Sequence, residues 1–299
     1  MAQLDSYKGL LFATFDPEAP PLREYLGEVT WYLDVFFDRR EGGIEVVRGM
    51  HKWVIPCNWK FPAENFSGDA YHVPWGHLSA IRSGFSFGAN TRPEAEGRIV
   101  SPGNGHAIVC VGPNDMTEPP MPEILAHEQE IRPEVGKRLG PQMGLVSPVV
   151  GTLFPNFSWL RVGSRTFRVW HPRGPDKIEV LSWVYSDKAA PPHGKEAIRL
   201  AGIGGGVGPS GSLEQDDMDN WQECTRACRG PVSRRAFLNT QMGLGHERFD
   251  PDLNAWASDF RMSESNHRQF YRRGAQLMAA DRWAEVPSGD LNGECEAAP

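Results

Sequence analysis

The sequence predicts an α+β fold, on three observations. Glycine and proline are frequent, 32 and 25 of 299 residues, and both interrupt long helices, which argues against a helical bundle. Four short runs at 146–153, 158–162, 166–170 and 178–185 are rich in β-branched and aromatic residues and are separated by Pro, Gly or Asp, as in an antiparallel meander. Helical periodicity marks the segments 22–37, 59–81 and 123–139 on the N-terminal side of that block.

In chain order, residues 8–15 read as a strand that Asp16-Pro17 stops before the first helix. Residues 43–57 have strand-like order and 59–81 turn helical. Residues 97–122 mix Gly, Pro and short apolar runs such as Ile108–Val111, giving strand and loop; 123–139 is a polar, amphipathic helix. The glycine-rich stretch 202–208 invites a phosphate-cradling reading. Its spacing fails G-x-G-x-x-G, because the last position falls on Val207, and no Lys-Ser or Lys-Thr follows. It is read as a flexible connection. Ser212-Leu-Glu-Gln215 fits a capping box and starts a helix with Asp216 and Asp217 in its first turns. Residues 283–299 are poor in apolar groups and are expected to fray. With no internal repeat and no linker, 1–299 is expected to form a single domain.

Composition narrows the function classes. With 40% hydrophobic and 23% charged residues, the chain can bury a sizeable core and is neither disordered nor collagen-like. A formal charge of -7 gives no general attraction to phosphate backbones or anionic lipid, so no nucleic-acid partner is expected. Met1–Leu10 lacks a signal-peptide pattern and no apolar run reaches bilayer length, so no membrane association and a cytoplasmic location are expected. Five cysteines, at 57, 110, 224, 228 and 295, suit a reduced compartment. The Cys224/Cys228 pair lacks a second pair or a nearby His to complete a zinc site, and is read as two ordinary thiols.

The segment from Asn58 to His77 carries the chemistry. In a regular helix Asn65, Asp69 and His72 fall at i, i+4 and i+7, so one face presents an amide, a carboxylate and an imidazole. His77 follows His72 by five residues, which an ideal helix would turn away. A kink at Pro74 is expected to bring both imidazoles toward one point. Asp69 is then placed to accept a hydrogen bond from a ligand imidazole and set its tautomer. Two histidines leave a metal undercoordinated, and the acidic group at 214–217 is the best source of an anionic third ligand. The plainer reading is a pair of satisfied histidines and an acidic helix cap.

Asn65-Phe-x-Gly-Asp-x-Tyr-His-x-x-Trp-x-His77, followed later by Glu214-Gln-Asp-Asp217, closely resembles the catalytic domain of the large (alpha) subunit of aromatic ring-hydroxylating dioxygenases, the Rieske non-haem iron oxygenases. Residues 7–16, Phe154-Pro-Asn156, Val169-Trp-His-Pro-Arg173 and Asp259-Phe-Arg-Met262 are also similar to family segments. The likeness covers nearly the whole chain and is nearest to the naphthalene, phenanthrene and pyrene types, with biphenyl enzymes further off.

The resemblance implies a helix-grip (Bet v 1-like) domain, an extended antiparallel sheet folded around helices. It implies one mononuclear Fe(II) held by His72, His77 and Asp217, with Asp69 linking His72 to the electron-delivering cluster of a neighbouring subunit. Asn65 and Phe66 would border the iron and the substrate cavity, which Leu160, Leu213 and Phe87 would help to line. The implied reaction adds both atoms of O2 to a polycyclic or other arene, giving a cis-dihydrodiol. Electrons would come from NADH through a reductase, a ferredoxin and a Rieske [2Fe-2S] cluster. An α3 trimer, or α3β3 with a small beta subunit, is implied as well. The Rieske ligand pattern, Cys-x-His with Cys-x-x-His, is missing from these 299 residues. The N-terminal Rieske domain is therefore expected to be absent, the cluster coming from a missing domain or another chain. The alternative is a non-enzymatic helix-grip protein that binds an apolar ligand; a zinc hydrolase ranks last, for want of an H-E-x-x-H glutamate.

Overall fold

A computed structural model of the chain describes residues 1–83, 97–111, 122–140, 147–162, 164–205 and 211–287. The first expected strand is a hairpin: β1 (Gln3–Tyr7) and β2 (Leu10–Thr14) pair antiparallel. Lys8 and Gly9, both at positive φ (49° and 85°), make the two-residue turn that matches strand twist. The helix expected over 22–37 is likewise two pieces, α1 (Leu22–Leu26) and α2 (Val29–Phe37). Gly27, at φ 54°, takes the left-handed conformation that ends α1. In α2, Val29, Tyr32, Leu33, Phe36 and Phe37 are buried, the i, i+3, i+4, i+7, i+8 stripe of a helix laid on a core.

The order continues with β3 (Ile44–Val46), β4 (His51–Ile55), α3 (Lys60–Gly68), α4 (Val73–Gly76), α5 (Leu78–Arg82), β5 (Gly97–Ser101) and β6 (Ala107–Val111). Then come α6 (Pro122–Leu139), β7 (Ser147–Leu153), β8 (Phe157–Val162), β9 (Ser164–Pro172), β10 (Ile178–Asp187), α7 (Pro192–Gly205) and α8 (Glu214–Ala227). β11 (Glu247–Asp250), β12 (Ala255–Ser258) and α9 (Ser265–Ala279) complete the set. The expected meander is present as β7–β10. It is the centre of a ten-stranded antiparallel sheet of order β11-β12-β5-β6-β7-β8-β9-β10, whose last strand pairs along its free edge with β4 and then β3. This is the α+β, helix-grip arrangement that the resemblance implied.

Alternation along the strands divides the core into two layers. Trp159 and Phe167 join Tyr32, Phe36, Phe37 and Tyr185 in one cluster. Trp170, Ile178 and Val180 join Ala63 and Phe66 of α3, Trp221 of α8 and Phe270 of α9 in the other. The second layer therefore holds three helices against the sheet, and these frame the candidate site. Gly151 of β7 lies opposite Trp159 of β8, and a Cβ there would come within 2.4 Å of the indole. No larger residue fits without moving the ring.

The sequence reading assigned no element to α7, β11, β12 or α9. Part of the glycine stretch, Gly202–Gly205, is the last turn of α7 rather than a flexible connection; 206–208 lie outside the described residues. Trp283–Glu285 forms a 3-10 turn whose indole meets Tyr25 edge-on at 6.3 Å, so the first residues of the expected frayed tail are packed. Residues 288–299 lie outside the described set. Among the described residues, no helix is long and apolar enough to cross a membrane.

α6 is tied to the sheet by buried charge. Glu128 accepts from Arg39 Nη1 and Nη2 (3.0 and 2.6 Å), Arg161 Nη2 (2.7 Å) and Arg165 Nη2. Arg165 Nη1 also donates to Asp187 Oδ2 at 3.2 Å. Burial pushes Glu128 up, but the three guanidiniums outweigh it and hold the carboxyl well below its usual range. Burial likewise raises Asp187, while the hydrogen bond from His127 and the charges on Arg165 and Arg39 bring it down to about 2. Depressed carboxylates contribute stability that is present above their unfolded values, near 4, and lost as the pH falls through the folded ones. Glu128→Ala removes the carboxylate that Arg39, Arg161 and Arg165 share, leaving Asp187 to face Arg39 and Arg165, and is expected to cost about 3–5 kcal/mol. Urea unfolding at pH 7 measures it; a loss under about 1 kcal/mol would mean water replaces the carboxylate without penalty.

Candidate metal centre

The site forms where α3 stops. Its last residue is Gly68, and Asp69 (φ -77°, ψ 60°) leaves the helical conformation. The side chain of Asp69 then organises the next turn, its Oδ1 accepting from the His72 backbone N–H at 3.1 Å, a local bond that Asp makes in turns and caps. His72 caps the start of α4, and His77 closes it. Pro74 is one of the first two residues of α4, where a missing N–H costs nothing. The expected kink of one continuous helix at Pro74 is therefore corrected. The chain changes direction at residues 69–72, because Asp69 satisfies the turn, and Pro74 begins the next helix.

The face expected from Asn65, Asp69 and His72 survives this break. Asn65 Nδ2 donates to Asp69 Oδ2 at 3.2 Å and lies 3.2 Å from His72 Nδ1. His72 Nδ1 donates to the Asp69 backbone carbonyl, so the expected orienting contact exists, made by the main-chain oxygen, with Asp69 Oδ1 at 3.6 Å. Held on one side in this way, the imidazole points Nε2 at His77 and Asp217.

The third residue comes from α8. Leu213 precedes this helix and no side-chain cap bond forms there. Ser212 Oγ instead donates to Gly204 O at 3.1 Å, so the expected capping box is not made. Asp216 and Asp217 do occupy the first turn, where the free N–H groups favour anions.

His72 Nε2 and His77 Nε2 are 3.2 Å apart, and Asp217 Oδ1 is 3.4 Å from the first and 3.3 Å from the second. His77 is 4% exposed, and its Nδ1 lies 3.4 Å from Asp216 Oδ2. A cation about 2.1 Å from each of three such donors sees angles of roughly 100° between them, which suits a capped, three-ligand centre with the opposite side open. Two imidazoles and one carboxylate are the donor set of non-haem Fe(II) sites. The residues fit the ion.

Electrostatics supports this. Burial raises Asp217, but hydrogen bonds from His72 and His77 and their charges hold it well below the usual carboxylate range. Burial opposes the charged form of His72, yet Asp217 and Asp69 outweigh it and raise its pKa well above 6.5. Burial lifts Glu214 to about 7 despite Arg168 beside it.

Of the residues expected to line a cavity, Phe66 is buried against Trp170, ring centroids 5.2 Å apart. Leu160 of β8 packs on the same cluster. Leu213 immediately precedes α8, and Phe87 lies outside the described residues. Two features were not recognised from sequence. Asp216 orients His77, although its motif was noticed. The ion pair between Arg168 and Glu214 joins a strand to a helix and has no local pattern.

Fold and site together define an antiparallel α+β domain with a buried centre of two histidines and one carboxylate. The model of the ring-hydroxylating alpha subunit (catalytic domain) matches residues 22–280, and the chain belongs to that family. The biphenyl 2,3-dioxygenase alpha subunit of Rhodococcus jostii is 36% identical over 95% of this chain, which spans 64% of that protein's length. The large oxygenase component of the naphthalene 1,2-dioxygenase system of Pseudomonas aeruginosa is 31% identical over all of this chain and 68% of its own length. A naphthalene 1,2-dioxygenase from Rhodococcus sp., crystallised with indole, superposes with a TM-score of 0.83 at 35% identity, covering 94% of this chain and 67% of that one.

In the metal-free protein the His72–Asp217 contact is complete between about pH 4 and 6.5. The His72 contribution is lost as the pH rises through its raised value, and that of Asp217 as the pH falls through its depressed one. Asp217→Asn is expected to bring the His72 titration down toward 6.5, followed by NMR of the ring. An unmoved titration would show that the carboxylate does not face His72.

Proposed function

We propose that this chain is the catalytic part of an aromatic ring-hydroxylating dioxygenase alpha subunit, adding both atoms of O2 to a polycyclic or other aromatic hydrocarbon to form a cis-dihydrodiol. The convergence of His72 Nε2, His77 Nε2 and Asp217 Oδ1 within 3.4 Å, in a member of this family, carries the reading. Fe(II) held by these three residues would supply oxygen activation at its open positions. Arene, O2, NADH and one proton give the dihydrodiol and NAD+.

The protein's own groups set the geometry. The Asp69 carbonyl holds His72 Nδ1, and Asp216 faces His77 Nδ1, so each imidazole is oriented by its second nitrogen. Phe66, Leu160, Leu213 and Phe87, with the Asn65 amide at the centre's edge, are assigned to the arene. Asp69 is assigned to the path by which electrons reach His72 from a Rieske [2Fe-2S] cluster of a neighbouring subunit. That cluster's ligands lie outside these 299 residues, and a reductase and ferredoxin would feed it from NADH. An α3 or α3β3 trimer and a cytoplasmic location complete the proposal. A carrier of apolar ligands has no use for three polar donors crowded at one point, two of them buried, since burying polar groups costs free energy without a bound ion.

The chain is expected to take up one Fe(II) anaerobically, and alanine at His72, His77 or Asp217 to remove most of it, by metal analysis. Full occupancy in His72→Ala would end the metal reading. Asp69→Asn is expected to keep near-stoichiometric iron. With a Rieske domain supplied, it should lose most NADH-driven dihydroxylation of naphthalene or phenanthrene while retaining the low peroxide-driven yield that His77→Ala lacks. Equal NADH-driven turnover in Asp69→Asn and wild type would leave Asp69 a structural residue.

A further inference from the structure

The proposed ligands come from two separate stretches, His77 and Asp216 standing 139 positions apart in sequence. Something must fix the first turn of α8 against the end of α3, or the three donors cannot share a point. The helix start does not do so by itself, because Leu213 offers no side-chain cap.

We propose that Arg168 is a positioning residue of the metal centre, acting through Glu214 and Phe66. This rests on the metal reading above. Arg168 belongs to β9, in the middle of the sheet, and is 1% exposed. Its Nη1 lies 3.0 Å from Oε2 of Glu214, the first residue of α8, itself 2% exposed. The same guanidinium stands 4.8 Å from the ring centroid of Phe66, on α3, and 5.7 Å from that of Trp170. Trp170 in turn meets Phe66 at 5.2 Å and Trp221 of α8 at 5.5 Å. One flat cation thus touches the sheet, the helix before the histidines and the helix that carries the carboxylate.

The chemistry favours a directional role. A fully buried Arg–Glu pair contributes little stability beyond an apolar pair of equal volume, because its desolvation offsets its attraction. The guanidinium does fix direction, through a rigid plane that stacks on aromatic faces while its edge meets a carboxylate. Glu214 Oε1 has no hydrogen-bond partner among the described residues, and Oε2 meets Arg168 Nη1 at 3.0 Å. Glu214 is one helical turn before Asp217, and a tilt at the first is passed directly to the second.

The test uses Co(II) as a probe ion on the metal-free chain, reading affinity and the visible ligand-field spectrum beside thermal unfolding. The double variant Arg168→Gln with Glu214→Gln removes both charges together. It is expected to melt close to wild type, yet to bind Co(II) at least tenfold more weakly with an altered spectrum. Glu128→Gln, in the remote buried cluster, is the control: it should lower the melting temperature and leave the Co(II) spectrum unchanged. Arg168→Lys keeps the charge without the plane and should lose about threefold in affinity; it carries the test should the double variant not fold. Wild-type affinity and spectrum in the double variant, or in Arg168→Lys if only that folds, would overturn the proposal alone. Failure of the wild-type chain to bind either Co(II) or Fe(II) would overturn the metal reading and this proposal together.

Discussion

Three nitrogen and oxygen donors held within 3.4 Å of one another are an unfavourable thing to bury. His77 and Asp217 are buried and His72 is partly so, and none can be fully satisfied by the other two. The arrangement persists because its surroundings allow nothing else. Asp69 and Asp216 occupy the outward nitrogens of the imidazoles, Asp217 sits in the first turn of α8, and α3 and α8 share one apolar cluster with the sheet. The protein has placed a polar point against an apolar layer, the cluster of Ala63, Phe66, Trp170, Trp221 and Phe270.

Much of this was legible in the sequence, for reasons that particular residues make plain. His72 and His77 lie five residues apart, so their meeting needs only local chain geometry. The motif around them was readable even though the break occurs at Asp69 rather than Pro74. Asp217 was assigned through the family's acidic motif, since no local rule joins it to residues so distant. The meander β7–β10 was visible because β-branched and aromatic runs alternate with breakers. α9 was not, since its buried face includes Ser265, Asn266, His267 and Arg273; polar residues that pair inside a protein look, in sequence, like a solvated segment. The Arg168–Glu214 pair stayed hidden for the same reason, as an arginine in a strand reads as an outward-facing residue.

Two buried ionic groups make an instructive contrast. Around Glu128, several guanidiniums converge on one carboxylate and tie a helix to the sheet. At Arg168 a single cation meets a single carboxylate and spreads its faces on two aromatic rings. The first arrangement has redundancy: losing one arginine leaves others in place. The second couples one helix start to one ring pair, and small changes there act on geometry before they act on folding.

The separation between the histidine segment and the acidic helix has a further meaning once an ion is present. A cation gripped by both stretches acts as a removable crosslink, closing the long loop between His77 and Asp217. Ordering so long a loop costs the unfolded chain several kcal/mol of configurational freedom, and a link that survives unfolding would take that freedom away. The local His72/His77 pair can keep a weak hold on an ion after the sheet has opened, whereas the carboxylate cannot. Part of the binding energy is then shared with the denatured chain, so loading stabilises the fold by less than the native affinity alone implies.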